Sequence, residues 1–235
     1  MRSRGLVVAI DGPSGAGKST AGRALATRLG YVFIDTGAMY RALALKALRE
    51  RVPLDSGDAL AALARGRRIE LQPNGAVILE GADVSSEIRS REVSAAASRV
   101  SVHPAVRREM VARQREMGRE GGVVLDGRDI GTAVFPDADL KFYVDADPAR
   151  RAARRHEELT AAGQDSDVAT IEREIRERDH ADSTRSDSPL TRAPDAVLVD
   201  TTALEPGEVV ERMLAIARQR LTETHHKGTK DTKKT

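Results

Sequence analysis

The sequence predicts an α/β fold: a doubly wound five-stranded parallel sheet with an inserted small α+β subdomain and a helical lid. Three observations carry that prediction. Five short apolar runs, LVVAI (6–10), YVFI (31–34), VVL (123–125), LKFYV (140–144) and AVLV (196–199), are each followed by a turn and then a helical pattern. Near-continuous apolar runs mark strands buried on both faces, and their alternation with helices implies parallel pairing. The rhythm breaks twice, over 55–103 and over 148–192, and these breaks mark the two insertions.

After the first run, Ala21, Ala24, Leu25 and Leu29 give one apolar helical face. In the first insertion, RRIELQ and AVILEG flank Pro73-Asn74-Gly75, and Asn-Gly between strand-like runs signals a hairpin. A helical stretch from Arg91 to Met117 is interrupted near His103-Pro104, because proline disfavours helix in the residue before it. Asp147 and Pro148 supply the cap and first turn of the helix opening the second insertion. That insertion holds nine arginines, no lysine and ten acids, a pattern usual for a solvated face. The last helix carries Val209, Val210, Met213, Leu214 and Ala217 on one side. The expected organisation is a core domain of 1–54, 104–147 and 193–221, an inserted small subdomain of 55–103, a lid of 148–192 and a disordered basic tail of 222–235.

Composition excludes several classes. At 40% hydrophobic and 31% charged, the chain suits a compact globular domain, and no stretch approaches the roughly 20 apolar residues of a membrane span. The start, MRSRGLVVAIDG, has too short an apolar run for a signal peptide. With no cysteine there is no disulfide, thiolate catalysis or cysteine-based metal site, which suits a cytoplasmic enzyme. The net charge of +2 is accounted for by Lys227, Lys230, Lys233 and Lys234 against Glu223 and Asp231, so residues 1–221 are neutral. A nucleic-acid binder would carry its basic face within the fold. Neither nucleic acid nor membrane is an expected partner, and a monomer is expected.

Residues 12–19 read G-P-S-G-A-G-K-S, matching G-x-x-x-x-G-K-[ST] between an apolar strand and a helix. This is the P-loop. Its backbone N–H groups turn around phosphate oxygens and the helix N-terminus adds positive potential. Gly12, Pro13, Ser14, Gly15, Ala16, Gly17, Lys18, Ser19 and Thr20 are therefore the candidate ATP site, with Lys18 on the β- and γ-phosphates and the Ser19 hydroxyl on Mg²⁺. Asp126, ending an apolar run, stands where a carboxylate holds Mg²⁺ through water; capping the following turn is its other reading. Two further polar loops, Asp35-Thr36-Gly37-Ala38-Met39-Tyr40-Arg41 and Asp126-Gly127-Arg128-Asp129-Ile130-Gly131-Thr132, follow the second and third runs. The carboxyl ends of strands are where open α/β sheets bind ligands.

The segments IDGPSGAGKST, DTGAMYR, EGADVSSEIR, VRREMVARQR, DGRDIGT with VFPDAD, and RERDHADSTR with SPL resemble the bacterial cytidylate kinase family, in the same order over residues 6–217. The resemblance implies ATP-dependent phosphorylation of CMP and dCMP to CDP and dCDP. It implies acceptor-phosphate roles for Arg41, Arg128 and Arg185, which with Lys18 form the catalytic set. Thr36 stands where some members carry serine and keeps the hydroxyl. Arg178 and Asp182 fall on the sugar, although their spacing is also that of an ordinary helical ion pair. Arg178, Asp182 and Arg185 share one face if the helix persists. Of Arg154 and Arg155, both resembling lid arginines, Arg154 is the stronger candidate for closing over ATP. Cytosine offers an N4 amino donor and the N3 and O2 acceptors, so a selective pocket needs a carboxylate and donors; the resemblance implies that Asp129, with Arg107 and Ser98, supplies them. The alternatives are another small-molecule P-loop kinase, acting on UMP, AMP or a shikimate-like substrate, and a nucleic-acid-binding P-loop protein.

Overall fold

The computed structural model describes residues 4–66, 69–72, 74–161 and 163–231, with backbone alone for 224–231. Arg67, Arg68 and Pro73 of the expected hairpin, and 232–235 of the expected tail, lie outside the described residues. The chain divides into two compact units, Met1–Val32 with Glu120–Thr235, and Phe33–Arg119.

The apolar runs become the strands of one sheet, each ending on an aspartate: β1 (Val7–Asp11), β2 (Val32–Asp35), β6 (Val123–Asp126), β7 (Leu140–Asp145) and β8 (Val197–Asp200). Their order is β2-β6-β1-β7-β8. The registered pairs are parallel, Val7 against Val123, Val8 against Leu140 and Phe142 against Val197. In the middle of the sheet every residue of β1 and β6 is buried, while β8 at one edge alternates with solvent. This is the arrangement that near-continuous apolar runs require.

The helices of the first unit are α1 (Lys18–Leu29), α6 (Pro148–Ala161), α7 (Val168–Thr184) and α8 (Pro206–Asp231), the last following the final strand. The buried face of α1 is Ala21, Gly22, Leu25 and Ala26, so the stripe is rotated from the one expected and Ala24 and Leu29 are only half-buried. Val209, Val210, Met213, Leu214 and Ala217 of α8 are all buried. Its helical backbone continues to Asp231, so the segment expected to be disordered from 222 onward starts within a helix. No proline or glycine pair stops it, and a formed helix propagates far more easily than it starts. Helices α6 and α7 close on their own small core of Ala152, Ile171, Ile175 and Leu159.

The second unit packs α2 (Thr36–Arg49), α3 (Gly57–Arg65), α4 (Arg91–Ser101) and α5 (Pro104–Gly118) around one apolar cluster that includes Met39, Leu43, Leu60, Val100 and Met110. The expected helix break falls at His103, which precedes Pro104 at the first position of α5. A three-stranded antiparallel sheet, β3 (Ile69–Leu71), β4 (Val77–Leu79) and β5 (Ala82–Asp83), belongs to this unit. Asn74 Oδ1 accepts from the Ala76 amide at 3.0 Å in the first turn. Glu80 (φ 53°) and Gly81 (φ 88°) make the second turn, both in the left-handed region that a two-residue hairpin needs.

Gly12 follows β1 at φ 144°, and a Cβ there would lie 1.9 Å from the Val144 carbonyl oxygen of β7. Gly12→Ala is expected to destabilise the protein by roughly 3 kcal/mol and lower its melting temperature by roughly 6–12 °C, measured by calorimetry.

Candidate active site

The loop from Gly12 to Gly17 is shaped by backbone that only glycine adopts easily, with Gly12, Gly15 and Gly17 at φ 144°, 77° and 89°. Gly17 caps α1 without a side-chain hydrogen bond, and no acid occupies the first helical turn. The orphan N–H groups of that turn therefore face the loop with positive potential uncancelled. Lys18 is only 6% exposed, and its Nζ donates to the Pro13 carbonyl at 2.6 Å. Burial pushes its pKa down to about 7, Arg128 adds to the fall, Asp126 opposes it, and Arg178 and Asp11 follow in the same opposed senses. The Ser19 hydroxyl donates to Asp126 Oδ2 at 2.5 Å, bringing together the two expected Mg²⁺ residues. Ser14 and Gly15 lie on the outer side of the loop and Ala16 is fully buried beneath it, while Thr20 is exposed.

The loop after β6 brings Arg128, Asp129, Asp182 and Arg185 together. Arg128 Nε donates to Asp182 Oδ2 at 2.9 Å. Asp129, 7% exposed, precedes a π-helical turn, Ile130–Val134, and its Oδ1 lies 3.7 Å from an Arg185 guanidinium nitrogen. Another Arg185 nitrogen is 4.0 Å from Asp182 Oδ1. Helix α7 does not persist to Arg185: it ends at Thr184 and Arg185 takes extended backbone, φ −61°, ψ 143°. The Ser183 and Thr184 hydroxyls bond back to the His180 carbonyl, and Arg185 Nε donates to the Ser188 carbonyl at 2.7 Å. The chain turn, rather than shared helical spacing, delivers Arg185 beside Asp129 and Asp182. Arg178 lies within α7, near enough to Lys18 to lower its pKa.

Arg154 donates to the Thr201 carbonyl at 2.5 Å, the Thr201 hydroxyl at 3.1 Å and the Leu204 carbonyl at 3.3 Å, and Arg155 pairs with Glu158. The arginine that touches the P-loop is Arg151, which the sequence reading passed over. It is buried, donating to the Ser14 carbonyl at 3.0 Å, to the Ala146 carbonyl at 2.8 Å and to Asp179 at 2.7 Å. Its signal was its place one turn after the Asp147-Pro148 helix start, on the side facing back toward the strand. Pro13, Tyr143, Asp147, Arg151, Asp179 and Thr202 line a groove of about 550 Å³.

Asp11 was also passed over. It ends β1, directly before the P-loop, and its two oxygens accept from the Ile130 and Gly131 amides at 2.7 Å each. Burial raises its pKa to about 6 against those two amide bonds, with Asp129 adding to the rise. The Asp in IDG was its signal, a carboxylate closing an otherwise apolar buried run.

In the second unit, Asp35 caps α2 through the Ala38 amide at 2.8 Å and accepts from Arg41 at 3.0 Å. Arg41 thus points back along its helix, over Gly37, where a Cβ would lie 3.0 Å from an Arg41 nitrogen. Thr36 opens α2 and is buried. Arg107 on α5 is 3% exposed, and Ser98 on α4 donates to the Ser94 carbonyl at 3.3 Å.

The donor set fits a nucleotide phosphate chain with Mg²⁺. Ser19 and Asp126 offer hard oxygen ligands, and among the described residues no group of three or more histidines or acids forms an all-protein metal cage. Mg²⁺ is commonly held by one or two protein oxygens plus substrate phosphates and water. No helix among the described residues is long and apolar enough to cross a membrane.

A buried lysine beside an uncapped helix start, with arginines braced by carboxylates on neighbouring turns, suits the transfer of a phosphoryl group: the chain is a P-loop phosphotransferase. The cytidylate kinase family model matches residues 8–219. A cytidylate kinase of Solibacter usitatus (strain Ellin6076) is 52% identical over 94% of this chain and 96% of its own. One from Symbiobacterium thermophilum is 50% identical over 92% of this chain and 98% of its own. Among solved structures, TT1252 from Thermus thermophilus aligns with 93% of this chain and 98% of its own at 23% identity and a TM-score of 0.48. The chain belongs to the cytidylate kinase family.

Because Asp11 binds its proton more tightly folded than unfolded, its contribution to stability is complete below its ordinary value of 3.8 and is lost as pH rises through about 6. Against Asp11→Asn, which cannot titrate, the unaltered protein is expected to lose roughly 3 kcal/mol between about pH 4 and about pH 6. Denaturant unfolding of both proteins across that window measures it, and a constant difference refutes it.

Proposed function

We propose that this chain transfers the γ-phosphoryl group of ATP to CMP and dCMP, forming CDP and dCDP, with Mg²⁺ as the accompanying cation and the cytoplasm as its compartment. One observation carries the reading within the family: Asp129, a buried carboxylate, follows directly on Arg128 in the turn after β6. A carboxylate facing N4 accepts from the amino group of cytosine but meets the O4 acceptor of uracil, and the unmatched desolvation of that pair disfavours UMP. Ser98 and Arg107 carry the donor roles toward N3 and O2 that the resemblance gives them. Arg178 and Asp182 take the sugar, and a sugar contact that does not require the 2′-hydroxyl leaves dCMP acceptable.

The attacking atom is an acceptor phosphate oxygen, already anionic, so no side chain serves as nucleophile or general base. It bonds to the γ-phosphorus as the bond from that phosphorus to the β,γ-bridging oxygen breaks. Lys18 and the open N–H groups of the P-loop hold the donor phosphates, whose charge favours the protonated amine against its burial. Thr36, Arg41, Arg128 and Arg185 hold and orient the acceptor phosphate. Arg154 exchanges the carbonyl oxygens of Thr201 and Leu204 for donor phosphate oxygens as the lid closes and excludes water. Ser19, and Asp126 through water, would hold Mg²⁺, which would supply positive charge against the negative charge of the phosphates. In this reading the chain acts as a monomer.

A coupled ADP-release assay is expected to show turnover of CMP and dCMP well above UMP and AMP; faster turnover of UMP or AMP overturns the cytosine reading. Lys18→Ala and Arg128→Ala are each expected to lower kcat about a thousandfold with melting temperatures close to the unaltered protein. Near-normal turnover in either variant removes that residue from the catalytic set.

A further inference from the structure

The turn that carries Arg128 and Asp129 is not held by its own strand alone. After Asp129 the backbone bonds close within the turn: the Ala133 and Val134 amides donate to the Asp129 carbonyl at 2.8 and 3.1 Å, and the Phe135 amide to the Ile130 carbonyl at 2.6 Å. The Ile130 and Gly131 amides, at the start of the turn, donate instead to a side chain 119 and 120 residues away, one to each oxygen of Asp11. Asp129 itself makes no side-chain cap to this turn. Nor is the space around the pair slack. A Cβ on Gly131 would lie 3.3 Å from Asp11 Oδ2 and 3.0 Å from Cδ of Lys141, whose Nζ is fixed by the Pro136 carbonyl at 2.7 Å and Asp195 at 3.0 Å. The next residue along the chain from Asp11 is Gly12, the first of the P-loop.

We infer that Asp11 is a positioning residue for acceptor recognition: its carboxylate caps the turn after Asp129 and so sets the direction of the Asp129 and Arg128 side chains relative to the donor-phosphate loop. The inference rests on the reading of Asp129 as the cytosine acceptor. Two amide bonds on adjacent residues fix both the position and the tilt of the peptide that follows Asp129, whereas a single bond leaves a rotation free. A buried charged acceptor makes shorter and stronger bonds than a neutral one. Because the same residue ends β1, a shift of the turn is tied to a shift of the strand that leads into the P-loop. Asp11 touches neither nucleotide in this scheme. Its effect falls on which acceptor is chosen and how well it is held, rather than on how donor phosphates are bound.

Asp11→Asn keeps the shape and one acceptor oxygen but turns an NH₂ toward a backbone N–H, leaving one buried donor unsatisfied. The expected result is a rise in KM for CMP of roughly tenfold or more, and a fall in the CMP-to-UMP ratio of kcat/KM of similar size, with KM for ATP changing less than about twofold. Gly131→Ala, which pushes the same amide from its place with Asp11 intact, is expected to move the same ratio in the same direction, and it decides the matter if Asp11→Asn does not fold. A CMP-to-UMP ratio unchanged in a folded variant, or equal rises in KM for CMP and ATP, overturns the inference. If the unaltered enzyme lacks a CMP preference, or Asp129→Asn leaves that preference intact, the acceptor reading falls and the inference falls with it. A preserved effect of Asp129→Asn beside an inert Asp11→Asn overturns the Asp11 role alone.

Discussion

The ammonium of Lys18 is buried against the Pro13 carbonyl, with Arg128 and Arg178 close enough to oppose its charge. Burying a cation is unfavourable unless compensating charge and hydrogen bonds surround it, and here the nearby carboxylates are Asp126 and Asp11. Both end strands of the same sheet, and each is committed to another group as well: Asp126 to the Ser19 hydroxyl, Asp11 to two backbone amides. The lysine is therefore left short of anionic partners. A phosphate chain at the uncapped start of α1 would supply the negative charge that the protein withholds.

The same economy governs the arginines of the first unit. Arg128 is braced by Asp182, Arg185 lies between Asp129 and Asp182, and Arg151 is clamped by Asp179 and two carbonyl oxygens. Long guanidinium side chains lose considerable rotamer freedom when they grip a ligand. Holding them against carboxylates would remove much of that loss before a ligand is gripped. Arg151 differs from the others because its partners include the Ser14 carbonyl of the P-loop itself, which links the start of α6 to the Gly12–Gly17 loop.

Much of this was legible in the chain. A glycine-rich loop between a buried strand and a helix requires left-handed backbone, so G-P-S-G-A-G-K-S declares both its conformation and its ligand class. Apolar runs announced the strands, yet each was read one residue short of its aspartate, because a charged residue ends an apolar pattern although it does not end a backbone ladder. His103-Pro104 broke the helix where proline sterics demand. The Glu80-Gly81 turn was missed, since glutamate at positive φ has no compositional signal. The end of α7 was missed too: i, i+4, i+7 spacing speaks only while the helix continues, and the hydroxyls of Ser183 and Thr184 bonded back to His180 instead.

What the sequence determined by itself is local: the P-loop, the strand and helix alternation, and the chemical types at Arg128, Asp129 and Lys18, all of which depend on neighbours within a few positions. The tertiary structure decided which of many arginines and aspartates act together. Nothing in the spacing of Asp11 and Ile130 foretells that they meet. Pairing of β1 with β6, through registered residues such as Ile10 and Asp126, brings them within hydrogen-bonding distance, and a carboxylate buried at that depth is tolerated only where backbone donors converge on it. Selection among equivalent charged residues is a property of long-range packing, because in the unfolded chain each of them is equally solvated and equally free.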